Sequence, residues 1–294
     1  MEPTLSRSTA SATTNYLPAL IFVIGVARRS GTNYLARAIV SHPDVCRPRG
    51  HWELPFLEIA DQFRDMHRSF VALRGPDRLD FTFAEFASYM GRGLVDGIAR
   101  RVTVEEQAPF VLHKNPGTGG LEHFRDFFPD SHLILLIRDG RDNLCSMLAA
   151  HGKLGRGRRL FNLIRDARLW ATSAERIRDH LQRDSNCTLV RYEEMNAQPR
   201  KVLAEIAERI GLRADQRWLD SSSTIPVFGS GFLRTSAESN GHLVEEPGPT
   251  QWVERDRTEA FQPVGRWHKQ LSRTEQKLVH RIIGPMLSEF GYTT

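Results

Sequence analysis

The stretch "LIFVIGVARRSGTNYLARAIVSHPDV", residues 20–45, decides the fold. Its opening, "LIFVIG", is a short apolar run, rich in β-branched residues and ended by Gly25, which is the pattern of a buried strand. A polar loop carrying Arg28, Arg29, Ser30, Gly31 and Thr32 follows. "TNYLARAIVSH" then has helical spacing, with Leu35, Ile39 and Val40 on its apolar side. A strand, a tight polar loop and a helix in that order make a phosphate-binding layout, because the first N–H groups of a helix have no partner inside it and attract an anion.

The loop departs from that of the nucleotide hydrolases, which requires G-x-x-x-x-G-K-[ST]. In "GVARRSGT", Ser30 stands where the second glycine belongs, Gly31 where the lysine belongs, and Thr32 at the Ser/Thr position. Backbone N–H groups can still hold a phosphate, and positive charge can come from Arg28 or Arg29. The missing lysine speaks against a magnesium-dependent ATP or GTP enzyme, though a P-loop kinase or hydrolase stays open as an alternative. For this loop alone, a strand–turn–helix that binds nothing is a further alternative.

Further along, "FVLHK" (110–114) is a second short strand before a Pro-Gly turn, and "HLILLIR" (132–138) is a continuous apolar run suited to a strand buried on both faces. "CTLVRYEEM" (187–195) reads as a fourth strand. "NLCSMLAA" after the turn "DGRD" reads as a helix, and "PRKVLAEIAERIGL" as another, begun by proline and stopped by glycine. The last segment, "LSRTEQKLVHRIIGPMLSEFGY", is a terminal helix with Leu278, Ile282, Met286 and Phe290 as its apolar side. Strands alternating with helices predict an α/β fold: one domain, residues 19–294, with a central mainly parallel sheet flanked by helices. Residues 1–18, rich in Ser, Thr and Ala, read as a disordered tail without the apolar core of a signal peptide. Residues 152–166 and 221–262 read as lid or substrate loops. Ligands in such folds sit at the carboxyl ends of the strands, where this chain places polar groups after Gly25, at Lys114, at Arg138 and at Tyr192.

The chain has 294 residues, a formal net charge of +5 and a pI of about 9.4. A modest basic excess suits an anionic ligand. The arginines are scattered and not interleaved with aromatics, so nucleic acid is not expected as a partner. No apolar run reaches the length of a membrane span. Cys46, Cys145 and Cys187 are widely separated, have no metal-like spacing and read as reduced thiols of a cytoplasmic protein.

The second decisive feature is "LIRDGRDNLCSML". Arg138 ends the strongest strand, and Ser146 follows eight residues later on the next helix. A guanidinium fork and a hydroxyl in that arrangement can face one oxyanion. Taken with "RRSGTNYL" and "SHPDV", this segment resembles the sulfotransferases that use 3′-phosphoadenosine 5′-phosphosulfate (PAPS), in their bacterial and carbohydrate-type branches. Their first loop resembles P-[KR]-S-G-T-[TN]-[WY]-L, without the common proline here, and their second resembles R-[DN]-x-[RK]-D-x-x-x-S. Weaker echoes continue in "LVRYEEM", in "VGRWHKQL" (264–271), which lacks the R-K-G triplet of the animal cytosolic branch, and in "EFGY".

The resemblance implies a P-loop-like sulfotransferase fold and transfer of SO3 from PAPS to a hydroxyl or amine, leaving 3′-phosphoadenosine 5′-phosphate (PAP), with no metal. It implies that Arg28, Arg29, Ser30, Gly31, Thr32 and Asn33 hold the 5′-phosphosulfate, and Arg138 and Ser146 the 3′-phosphate. Tyr34 would stack on adenine, with Tyr192, Gly265, Arg266 and Trp267 near the nucleotide. Arg29 and Lys114 would steady the leaving oxygen. Glu53, in "HWELPFL", resembles the base glutamate of the K-E-x-x-F segment; His113 and His51 are rival bases. The acceptor, whether a small molecule, a carbohydrate or a lipid, leaves no signature, and neither does the interface of a homodimer, which some such enzymes form. A non-catalytic adenine-nucleotide-binding module remains a third reading.

Overall fold

The computed structural model describes residues 18–48, 53, 55–74, 82–99, 108–221 and 262–293. His51, the N-terminal tail and residues 222–261 of the expected lid lie outside them. Five parallel strands form the sheet: β1 (Ala19–Gly25), β2 (Val45–Cys46), β3 (Phe110–Asn115), β4 (His132–Ile137) and β5 (Cys187–Arg191), in the order β2-β3-β1-β4-β5.

Alternation along β1 sorts the core into two layers, as the pleat of a strand requires. Leu20, Phe22 and Ile24 pack with Phe124, Phe127, Leu144, Trp170 and Ile283 on one face. Ile21 and Val23 pack with Leu35, Ile39, Leu203 and Trp218 on the other. The second layer comes from α1 (Thr32–Val40), α8 (Pro199–Ile210) and α9 (Gln216–Ser221). The first comes from α4 (Phe124–Phe127), α5 (Gly140–Ala150), α6 (Arg156–Arg183) and α11 (Arg273–Glu289). The remaining described helices are α2 (Ala60–Arg74), α3 (Phe83–Ala99), α7 (Tyr192–Ala197) and α10 (Trp267–Gln270).

Three sequence expectations change. Residues 156–166, read as part of a lid loop, are the first turns of α6; Asn162, Leu163, Asp166, Ala167 and Trp170 recur at helical spacing on its buried side, and the glycines at 155 and 157 disguise its start. The fourth strand stops at Arg191, and Tyr192 opens α7, whose first turn carries Glu193 and Glu194. Acidic residues favour that position next to the helix N-terminus. The buried face of α11 is Val279, Ile283, Met286 and Leu287: Met286 is buried as expected, while Val279, Ile283 and Leu287 take the places expected of Leu278, Ile282 and Phe290. Its start is fixed by a capping box between Ser272 and Glu275.

The three cysteines are free thiols, and burial pushes Cys145 up to about 12 and Cys187 up to about 11. No helix among the described residues is long and apolar enough to cross a membrane.

Candidate active site

Parallel pairing brings the carboxyl ends of the strands to one edge. Ile24 lies beside Asn115, Gly25 beside Leu136 and Ile137 beside Arg191. From β1 the chain passes to β2 and β3 on one side, then to β4 and β5 on the other, so the loop after Gly25 sits where the strand order reverses.

That loop is held in an unusual backbone shape. Arg29 has φ of 70°, and Gly31, at the N-cap of α1, has φ of 102°. A side chain at 31 would run into the Tyr192 ring, so glycine is required by both backbone and space. The carbonyls of the loop are tied from β4 and α5. Arg138 Nη1 donates to the Arg29 carbonyl at 2.9 Å, and Asn143 Nδ2 to the Arg28 carbonyl at 3.1 Å. These bonds hold Arg29 in a region that non-glycine residues enter only under constraint.

Arg138, only 4% exposed, also donates through Nη2 to the Pro263 carbonyl at 2.7 Å and lies 4.3 Å over the Tyr192 ring. Arg266 comes to the same place. Partial desolvation, then Arg138, then Arg266 lower the pKa of Arg29, so three guanidinium groups share one neighbourhood. Beside Arg266 a cavity of about 330 Å³ opens, lined also by Cys145, Leu148, Arg159 and Gln270. The site suits an anion. Ser30 Oγ and Arg138 Nε are buried without a hydrogen-bond partner, and such groups normally have one. Oxygens of a phosphate or sulfate can accept from both. Ser146 is buried on α5, two turns in from Asp139, while Asn33 and the side chains of Arg28 and Arg29 are exposed.

Lys114 and Glu53 form the second half of the site. Their backbones make a parallel bridge that continues the β2–β3 edge, and Lys114 Nζ is ion-paired with Glu53 Oε1. The lysine side chain is buried and the glutamate side chain 56% exposed. Burial lowers the Lys114 pKa, and the hydrogen bond and charge of Glu53 oppose that shift. His113, the preceding residue, faces the other side of β3; it is fully buried and stacked on Phe22 with ring centroids 5.7 Å apart. Tyr34 is buried with its hydroxyl directed at the Met195 carbonyl and its ring edge-on to Tyr192, which leaves little of its face for an adenine.

Several residues inside the resembling segments build the site, although the motifs alone assign them no role. Asp139 caps α5, accepting from the Arg141 N–H, and pairs with the Arg141 side chain, which lies 4.2 Å over Trp267. Asp142 accepts from the Gly265 and Trp267 amides at 2.6 and 3.0 Å. Glu193 accepts from the Asp139 N–H and the Tyr292 hydroxyl, each at 2.9 Å, so "YEEM" and "EFGY" meet under the loop. His180, Asp184 and Cys187 are the described residues grouped closely enough to share an ion; they precede or open β5, at the other edge of the sheet, and Asp184 pairs with Arg125.

A loop with the layout of a phosphate loop, a strand-end arginine and a lysine–carboxylate pair thus gather at one edge of this sheet. The sequence matches the Sulfotransferase family over residues 18–216, and the chain belongs to that family. It is therefore a sulfuryl-transfer enzyme. No curated protein matches the sequence. Among solved structures it resembles the sulfotransferase domain of the Synechococcus PCC 7002 olefin synthase: 17% identity, TM-score 0.52, covering 94% of this chain and 96% of that one. It also resembles mouse sulfotransferase SULT7A1 complexed with PAP, at 13% identity and TM-score 0.51, covering 92% and 84%. A third is sulfotransferase STF9 from Mycobacterium avium, at 13% and 0.50, covering 94% and 78%. At these identities the likeness speaks for the fold.

Proposed function

We propose that the protein transfers the sulfuryl group of PAPS to a hydroxyl or amine of a small-molecule, carbohydrate or lipid acceptor, with Glu53 as general base. The observation that carries this reading is the placement of the Lys114–Glu53 pair on the same sheet edge as the loop that Arg138 holds. When bound, the donor supplies a sulfuryl group whose departure leaves negative charge on a phosphate oxygen. The N–H groups at the start of α1 and the side chains of Arg29 and Lys114 steady that charge. Arg138 and Ser146, with Arg266, hold the 3′-phosphate; a guanidinium fork suits phosphate geometry. Gly265 and Trp267 border the nucleotide, with Tyr192 beneath Arg138. Glu53, with its carboxylate open to solvent, takes the acceptor proton as attack proceeds. Donor binding needs no divalent cation, since cationic side chains supply the positive charge.

The test is a panel of hydroxyl- and amine-bearing acceptors incubated with PAPS in the presence of EDTA and read by mass spectrometry. An acceptor gaining the mass of SO3, with PAP formed in equal amount, is the expected result. Magnesium-dependent phosphorylation from ATP, with no transfer from PAPS, rejects the reading.

A further inference from the structure

Asp142 is 1% exposed and faces a segment 123 residues away in sequence. Its Oδ2 accepts from the Gly265 N–H at 2.6 Å and its Oδ1 from the Trp267 N–H at 3.0 Å. One carboxylate thus fixes the residues on either side of Arg266. The segment is held at two further points: Arg138 donates to the Pro263 carbonyl, and Arg141 lies over the Trp267 ring. Gly265 accommodates the resulting turn with φ of 75°. Burying a carboxylate is costly unless hydrogen bonds compensate, and here both oxygens accept from backbone amides that would otherwise lack partners. Asp142 is also an anion set among Arg138 and Arg266, close enough for each arginine to interact with it electrostatically. It therefore lowers the cost of bringing those cations together before a ligand arrives.

We infer that Asp142 is a positioning residue that sets Arg266 beside Arg138, so that the two guanidinium groups together recognise a 3′-phosphate. This rests on the donor reading above. Asp142 itself touches no ligand. It acts through the backbone of 265–267, and its contribution is selectivity for a nucleotide carrying a second phosphate over one that lacks it.

The experiment measures, by calorimetry on the full chain, the affinities for PAP and for 5′-AMP, and takes their ratio. Asp142→Asn keeps one acceptor oxygen but presents an NH2 group to the other amide. Gly265→Ala leaves Asp142 intact; its Cβ meets no atom within 4 Å, and it strains the left-handed turn. In each variant the PAP:AMP ratio is expected to fall about tenfold or more, the size of one lost charge-assisted hydrogen bond. In an Arg266→Ala background, where the ratio has already fallen, adding Asp142→Asn changes it little. If both nucleotides weaken equally and the ratio survives while Tm drops, Asp142 is merely structural and the inference is overturned. If Asp142→Asn does not fold, Gly265→Ala decides by the same ratio. A wild-type protein with no preference for PAP overturns the donor reading itself, and the inference with it.

Discussion

Lys114 Nζ and Glu53 Oε1 meet in an ion pair across 61 residues of sequence, with the ammonium buried and the carboxylate reaching solvent. In the proposed reading, the pair joins the group that steadies leaving charge to the group that accepts a proton. Burial lowers the Lys114 pKa, and the hydrogen bond and charge of Glu53 act against that shift.

Replacing Glu53 with glutamine keeps the size and one acceptor oxygen but removes the basicity. Glu53→Gln is expected to retain PAP binding and folding and to lose about two orders of magnitude or more in kcat. His113→Asn, on the opposite face of β3, is expected to lower Tm through its contact with Phe22 and leave kcat within a few-fold. Turnover at saturating donor, measured for both, separates them. Near wild-type rates in the glutamine variant, with collapse in the asparagine variant, would move the base to His113.

The ion pair has a titration signature. The Lys114 pKa in the folded protein lies below its ordinary value of 10.5 because of burial. Between that lowered pKa and 10.5 the unfolded chain binds more protons than the folded one, so this lysine makes stability rise as pH climbs through the window. Removing Glu53 deletes the partner that raises the pKa. In Glu53→Gln, Lys114 is therefore expected to titrate at still lower pH, and the window to widen downward. NMR of the lysine side chain reads this directly; an unmoved Lys114 would mean that the pair does not form in solution.

Arg138 supports the loop and, in the proposed reading, also holds the 3′-phosphate. Arg138→Ala is expected to weaken PAP binding by about 1.5–3 kcal/mol, the scale of a hydrogen bond to a charged group. Freed from its tie to Arg138, the Arg29 carbonyl should also let that residue leave its left-handed conformation. Hydrogen exchange across residues 26–32 is expected to rise; unchanged exchange would show that the loop keeps its shape without the arginine.

Gly31→Ala tests the cradle. The added methyl overlaps the Tyr192 ring and the backbone is left-handed there, so a loss of about 1–3 kcal/mol in stability is expected from strain, with donor affinity falling alongside. Equal stability by thermal melts would show that the loop and α7 can part without cost.

The sequence makes the local parts of this architecture readable. The phosphate loop, β4 and α8 announce themselves because strand, cap and turn chemistry act within a few residues: Gly25 ends a strand, Pro199 opens a helix, Gly211 closes it in a left-handed conformation. The pairing of Lys114 with Glu53 is anticipated only as two roles, since their contact depends on a two-residue strand, Val45–Cys46, too short to leave a pattern. Tyr192 resembles a strand residue until the acidic first turn of α7 is recognised. The face of α11 is ambiguous because two adjacent apolar rows run along it, and packing against α6 selects one. Asp142, Asn143 and Glu193 act through partners about 100 or more residues away, so although Asp142 falls in the second motif and Glu193 in "LVRYEEM", nothing local names the groups they hold.

The central claim is that this site is built for a nucleotide with a 3′-phosphate and a 5′-anion, without metal. Calorimetric titration of the wild-type protein with PAP and with 5′-AMP, each with and without EDTA, tests it most directly. The account predicts that PAP binds at least about tenfold more tightly, as an added charge-assisted contact requires, and that EDTA changes neither affinity. Equal affinities for the two nucleotides, or PAP binding abolished by EDTA, would contradict it.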